Sequence, residues 1–134
     1  MKPGTPAIVF RALPVIVPAI VSMTYVARVE WPGPYVAVNL LPMLVAIVLT
    51  FVCLHRGGGR WRGAGLSWPL GTLGFALPAI GVSLYLHYGY ATDRDGMVSE
   101  AITPTELFRY LPIYALFAGA TGFAIGWIAG RNFR

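Results

Sequence analysis

Acidic side chains are scarce in this chain: five among 134 residues, against ten lysines and arginines. They are also confined, with Glu30 in one short stretch and Asp93, Asp95, Glu100 and Glu106 in another. Cysteine occurs once, as Cys53, which excludes an internal disulfide or a dithiol redox pair and leaves a small apolar side chain as its simplest role. The two histidines, His55 and His87, fall at the ends of successive apolar segments on opposite sides of a bilayer, so they can neither share a metal nor sandwich one haem. There is no phosphate-cradling glycine loop, nucleophile elbow or zinc pair; the glycines at 57–59 lack the Lys-Ser/Thr of a P-loop. Asp93-Arg94-Asp95-Gly96 resembles a calcium loop only briefly, because Ser99 and Glu100 are out of register for further ligands. With no nucleophile, base or metal constellation, enzymatic activity is not expected. The charged, cysteine or histidine motifs that mark small four-helix exporters, fluoride channels, quinone-linked thiol oxidoreductases and respiratory membrane anchors are absent too.

Alternation of polar and apolar residues over short stretches is also missing, which excludes a membrane β-barrel. Instead, four long segments are nearly free of charge. A helix crossing the hydrocarbon core needs about 20 mostly apolar residues at about 1.5 Å rise each. The segments 7–27, 35–54, 66–90 and 106–129 meet that need, with Arg11 near the start of the first as an interior charge able to snorkel to headgroups. The sequence therefore predicts an all-α integral membrane protein, one domain over 1–134, with four transmembrane helices in two hairpins. Cleavage of the first segment as a signal peptide is not expected, since Tyr25 and Ala27 fit the small-residue positions poorly.

Loop charges set the expected orientation. If the N-terminus is cytoplasmic, Lys2, Arg11, Arg56, Arg60, Arg62, Arg131 and Arg134 lie inside, and Arg28, Arg94 and Arg109 lie outside with every acid. Both termini are expected in the cytoplasm, the basic loop containing Arg56, Arg60 and Arg62 with them, in a bacterial inner membrane. This asymmetry accounts for the net charge of +5 without nucleic acid as a partner. The first turn, 28–34, carries two prolines and a glycine and is read as ending the first helix; 55–65 is read as a flexible glycine-rich link. Thr103, Pro104 and Glu106 have the spacing of a capping box for the fourth helix.

Two patterns bear on packing. Ala118, Gly122, Gly126 and Gly130 recur at spacing four, and Gly71, Gly74, Pro78 and Gly81 make a less regular face on the third helix. Small residues in register let helices approach closely in lipid, either within one chain or against another subunit. Each span also carries a Leu-Pro pair, at Leu13, Leu41, Leu77 and Leu111, which suits a duplicated hairpin and equally the ordinary use of proline in membrane helices. Polar groups within the spans are few. Asn39 is the strongest, with an interhelical hydrogen bond as its simplest role. His87, among Tyr85, Tyr88 and Tyr90, reads as part of an outer aromatic belt. No cofactor is expected; a haem or pigment shared with another subunit through His87 is the one candidate. With no acid in the middle of any span, a proton-coupled pump is not expected. The functional expectation is an accessory or structural subunit of a larger membrane complex, its partners being the lipid bilayer and other membrane subunits or copies of itself. The alternative is a small homo-oligomeric transporter or channel.

Overall fold

A computed structural model describes residues 4–31, 33–92 and 106–132. All regular structure among them is helical: α1 (Thr5–Glu30), α2 (Val36–Asn39), α3 (Leu41–Arg56), α4 (Ser67–Ala91) and α5 (Glu106–Asn132). Taking α2 and α3 as one crossing, four helices are long and apolar enough to span a membrane. The acidic stretch at 93–100 and the Thr103–Pro104 cap lie outside the described residues.

Proline shapes two of these spans. In α1 it is tolerated at Pro14 and Pro18 within the helix, and the Ser22 hydroxyl bonds back to the Pro18 carbonyl at 2.7 Å. The second span does not run unbroken over 35–54. Pro42 has no N–H to offer the Val38 carbonyl, and the helix is interrupted at Leu40 between α2 and α3. The first helix runs further than 7–27. Only Trp31, directly before Pro32, is driven to extended geometry (φ −63°, ψ 134°), so Glu30 remains helical. That shift of three residues decides where the carboxyl goes.

Small buried residues let the helices pack along their length: Ala12 and Ala19 of α1, Ala46 of α3, Ala76 and Ala79 of α4 and Ala115 of α5. The lipid-facing surface carries large apolar side chains such as Phe10, Leu77 and Phe117, each more than 70 % exposed. The closest seam joins α4 to α5. A Cβ added to Gly122 would collide with the Gly74 carbonyl, and one added to Gly74 with the Gly122 carbonyl. Pro78 leaves that Gly74 carbonyl without its helical donor, so the bare Cα of Gly122 fills the space over it. Gly126 and Gly130 lie in the same way against the backbone at Leu70 and Leu66, and Gly71 against the ring of Phe123. Ala118 is half-buried one turn before Gly122. The glycine face of α5 is thus occupied from within the chain.

Gly81 departs from the expected face. It is exposed, and a Cβ there would meet nothing within 4 Å. Glycine in a helix interior costs about 0.5–1 kcal/mol relative to alanine. Gly81→Ala is expected to recover about that much, read as a higher midpoint of unfolding in mixed micelles; a loss instead would reveal a neighbour at this position.

The loop at 57–65 is not a loose link. Positive φ at Gly58 (62°), Gly59 (89°) and Gly65 (97°) lets it coil into successive turns, with Gly59 buried. It folds back on α1: the Arg11 guanidinium donates to the Gly59 carbonyl, and the Trp61 indole N–H donates to the Arg11 carbonyl at 2.9 Å. Arg11 is therefore tied to the loop rather than directed at headgroups alone. Cys53 is buried beneath, its thiol 3.5 Å from the Trp61 carbonyl. Arg56 lies over the Trp68 ring at 5.1 Å, while Arg60 and Arg62 are exposed.

Candidate functional site

At the opposite end of the bundle, four segments converge on one buried polar cluster. Glu30 closes α1, Asn39 closes α2, His87 lies in the last turns of α4, and Phe108 opens α5. The side chains of Glu30 and His87 are wholly shielded from solvent, and Asn39 is fully buried.

Each contact has a local cause. His87 is four residues after Ser83 on α4, and its Nδ1 meets the Ser83 carbonyl oxygen at 2.6 Å. A carbonyl can only accept, so Nδ1 carries a proton. Nε2 is then left for Glu30 Oε2, 2.5 Å away. The other carboxyl oxygen, Oε1, accepts from Asn39 Nδ2 at 2.9 Å. That same amide also reaches the carbonyls of Phe108 at 2.8 Å and Tyr35 at 3.2 Å. Three acceptors around one amide atom identify it as the nitrogen.

The Phe108 carbonyl is available because of proline chemistry. In an unbroken helix it would accept from the N–H of residue 112, but residue 112 is Pro112, which has none. Asn39 supplies the missing donor from another helix. The Phe108 ring completes the enclosure, stacked on His87 at 5.2 Å and 16°, with Tyr90 against its far edge at 4.5 Å. One group stays unmatched among the described residues: Asn39 Oδ1 is buried without a hydrogen-bond partner there.

Comparison with known protein families, curated proteins and solved structures returns no match. The site has to be read from its own chemistry.

Two expectations change. His87 does not belong to an exposed aromatic belt; Tyr85 and Tyr88 are exposed while His87 faces inward and is fully buried. Both its nitrogens are engaged in this structure, by Ser83 and Glu30. Glu30 does not sit in the turn at 28–34 but closes α1, buried; no acid lies in the middle of a described span, yet one is enclosed at the end of the first. Asn39 bridges helices as well as holding the carboxylate. The signals were present: Pro32 limits only Trp31, Pro112 frees a carbonyl four residues back, and loop charge puts Glu30, Asn39 and His87 at one end. Arg56, Arg60 and Arg62 lie at the other end, and the cluster brings none of them near.

Asn39→Leu removes the shared donor, leaving Glu30 Oε1 and the Phe108 carbonyl unpaired in a buried place. A buried acceptor left unmatched costs about 1–3 kcal/mol. Unfolding in mixed micelles is expected to show a loss of that size. Asn39→Asp, which keeps the shape but offers no amide donor, is expected to be no better.

Proposed function

We propose that the chain is an accessory or structural subunit of a larger assembly in a bacterial inner membrane, with both termini in the cytoplasm and no catalytic step of its own. The observation that supports this reading is that the bundle is pinned by polar contacts at both ends. Glu30, Asn39, His87 and Phe108 tie α1, α2, α4 and α5 at one end, and Arg11, Gly59 and Trp61 tie α1 to the basic loop at the other. Clamps at both ends suit a fixed scaffold better than a carrier whose halves rock about a central site. Because the glycine face of α5 is filled by α4, a partner subunit would use the apolar flanks of α1 and α3, where Val17, Ile20, Val21 and Val48 are more than half exposed. The orientation rests on the basic residues at the Arg11–Gly59 end and the positive-inside rule.

Native mass spectrometry of the tagged protein, extracted gently from its own membrane, tests the subunit reading. Different chains in fixed stoichiometry support it; a homo-oligomer alone sinks it. A periplasm-dependent reporter fused after Arg134 should stay silent if the orientation is right.

One observation favours the transporter reading instead: Glu30 and His87 are ionisable groups wholly shielded at one end of an apolar bundle, and such groups are costly and commonly functional. Flux measurements in liposomes, with Glu30→Gln as the comparison, decide whether Glu30 and His87 serve transport.

A further inference from the structure

We propose that Glu30 and His87 form a binding site for one proton, and that α1 closes against α4 only while that single proton is in place. The inference goes beyond the role proposed above and holds equally for a subunit or a transporter.

The proton count follows from hydrogen-bond chemistry. His87 Nδ1 donates to the Ser83 carbonyl, so its proton is committed. The 2.5 Å approach of Nε2 to Glu30 Oε2 then needs one proton between them. Two arrangements supply it, an imidazolium facing a carboxylate or a neutral imidazole accepting from a carboxylic acid. They interconvert by breaking one O–H bond and forming one N–H bond, with the pair neutral throughout. Neutrality matters here, because an uncompensated charge in a buried site is expensive.

Any other count opens the contact. Removing the proton leaves a carboxylate oxygen facing the Nε2 lone pair, two acceptors with nothing between them. Adding a second proton to the carboxyl sets its O–H against an N–H, that of His87 at Oε2 or that of Asn39 at Oε1, and leaves a net positive charge. Each state is relieved by moving Glu30 away from His87. Glu30 is the last residue of α1, followed by the extended Trp31, so this turn is the movable partner.

The surroundings fit a proton site. The pair is enclosed by oxygen acceptors from several elements: the Ser83 carbonyl on α4, the Phe108 carbonyl on α5, and the Tyr35 carbonyl and Asn39 at α2. Asn39 Oδ1 adds a buried acceptor that has no donor among the described residues, where an incoming donor would find a partner. Among the described residues, the other ionisable side chains towards this end include Tyr35 and Tyr90, packed around Phe108, half-buried Tyr25, and Arg28, Tyr85, Tyr88, Arg109 and Tyr110, which are exposed. Two acceptor-rich helix C-termini, of α1 and α4, meet the N-terminus of α5 here.

The test is a pH titration of the whole protein in lipid nanodiscs, with ¹⁵N-histidine and ¹³C-glutamate labels followed by nuclear magnetic resonance. The chain has two histidines and three glutamates, so His55→Gln, Glu100→Gln and Glu106→Gln assign the signals. The expected result is that the Glu30 carboxyl and the His87 nitrogens respond together, at shared midpoints, while exposed His55 titrates separately. Accompanying it, a spin label or fluorophore on Trp31→Cys should report movement of the α1 end at the same midpoint. The wild-type measurement stands even if pair variants fail to fold. In Glu30→Gln the joint response should vanish and His87 should titrate alone. The proposal is overturned if the Glu30 and His87 signals stay constant over the whole pH range in which the helices persist. It is equally overturned if they shift at unrelated midpoints, or if the α1 end stays still as they change.

Discussion

Replacing Glu30 by leucine is expected to destabilise the folded bundle by about 3–5 kcal/mol, the usual cost of breaking a buried pair by removing one member. The change strips His87 Nε2 of Glu30 and takes one acceptor from Asn39, in a place neither can leave for water. Unfolding in mixed micelles, followed by helix content, measures it. The double variant Glu30→Leu with His87→Leu should cost clearly less than the two single changes added together. Apolar replacement of both members often recovers the desolvation that the pair endured. A loss within about 0.5 kcal/mol for Glu30→Leu, the range of an ordinary surface change, would mean that this contact holds nothing together.

Gly122→Leu should be at least as damaging, for a different reason. Overpacking a well-filled core costs about 1–3 kcal/mol when side chains can adjust by changing rotamer. At Gly122 the obstacle is the Gly74 carbonyl with the Pro78 ring beside it, and a backbone atom cannot turn aside. The loss is expected at or above the top of that range, with α4 and α5 forced apart. Even Gly122→Ala should destabilise, whereas the same chemical change at Gly81 should stabilise. Equal substitutions with opposite signs separate close backbone approach from helix propensity. Disulfide trapping between cysteines placed on α4 and α5 would report the loss of the seam directly; unchanged trapping in Gly122→Leu would contradict it.

The four helices were legible because lipid demands long uncharged runs, and nothing in the chain competed with that signal. Helix ends were less so. Reading Arg28 to Pro34 as one turn took proline to stop a helix several residues early, when its steric reach extends to one neighbour; Glu30 was misplaced by that margin. The same oversight hid the site. Pro112 was read only as an ordinary membrane-helix proline, and the carbonyl that it frees at Phe108 was not matched to Asn39, the strongest polar group within the spans. The glycine register on α5 was visible, yet which helix would fill it was not, since spacing carries no information about the partner. Gly81 shows the limit of such patterns: its spacing suits the face, yet it is exposed with no neighbour within 4 Å of a Cβ placed there. The ordered turns at 57–65 needed the Arg11 contact, a pairing 48 residues apart that composition does not disclose.

The polar cluster draws its members from both hairpins, and this has a consequence for how the protein is made. Glu30 and Asn39 leave the ribosome well before His87 and Phe108. During that interval the first hairpin lies in the membrane with a carboxyl that has the Asn39 amide but not yet His87. The second hairpin brings its own glycine seam and can close on itself. Docking of the two halves is then the step that gives the carboxyl its proton-sharing partner. A chain that stalls before α4 displays an unmatched acid at the membrane edge, a chemical flag that distinguishes unfinished molecules from finished ones.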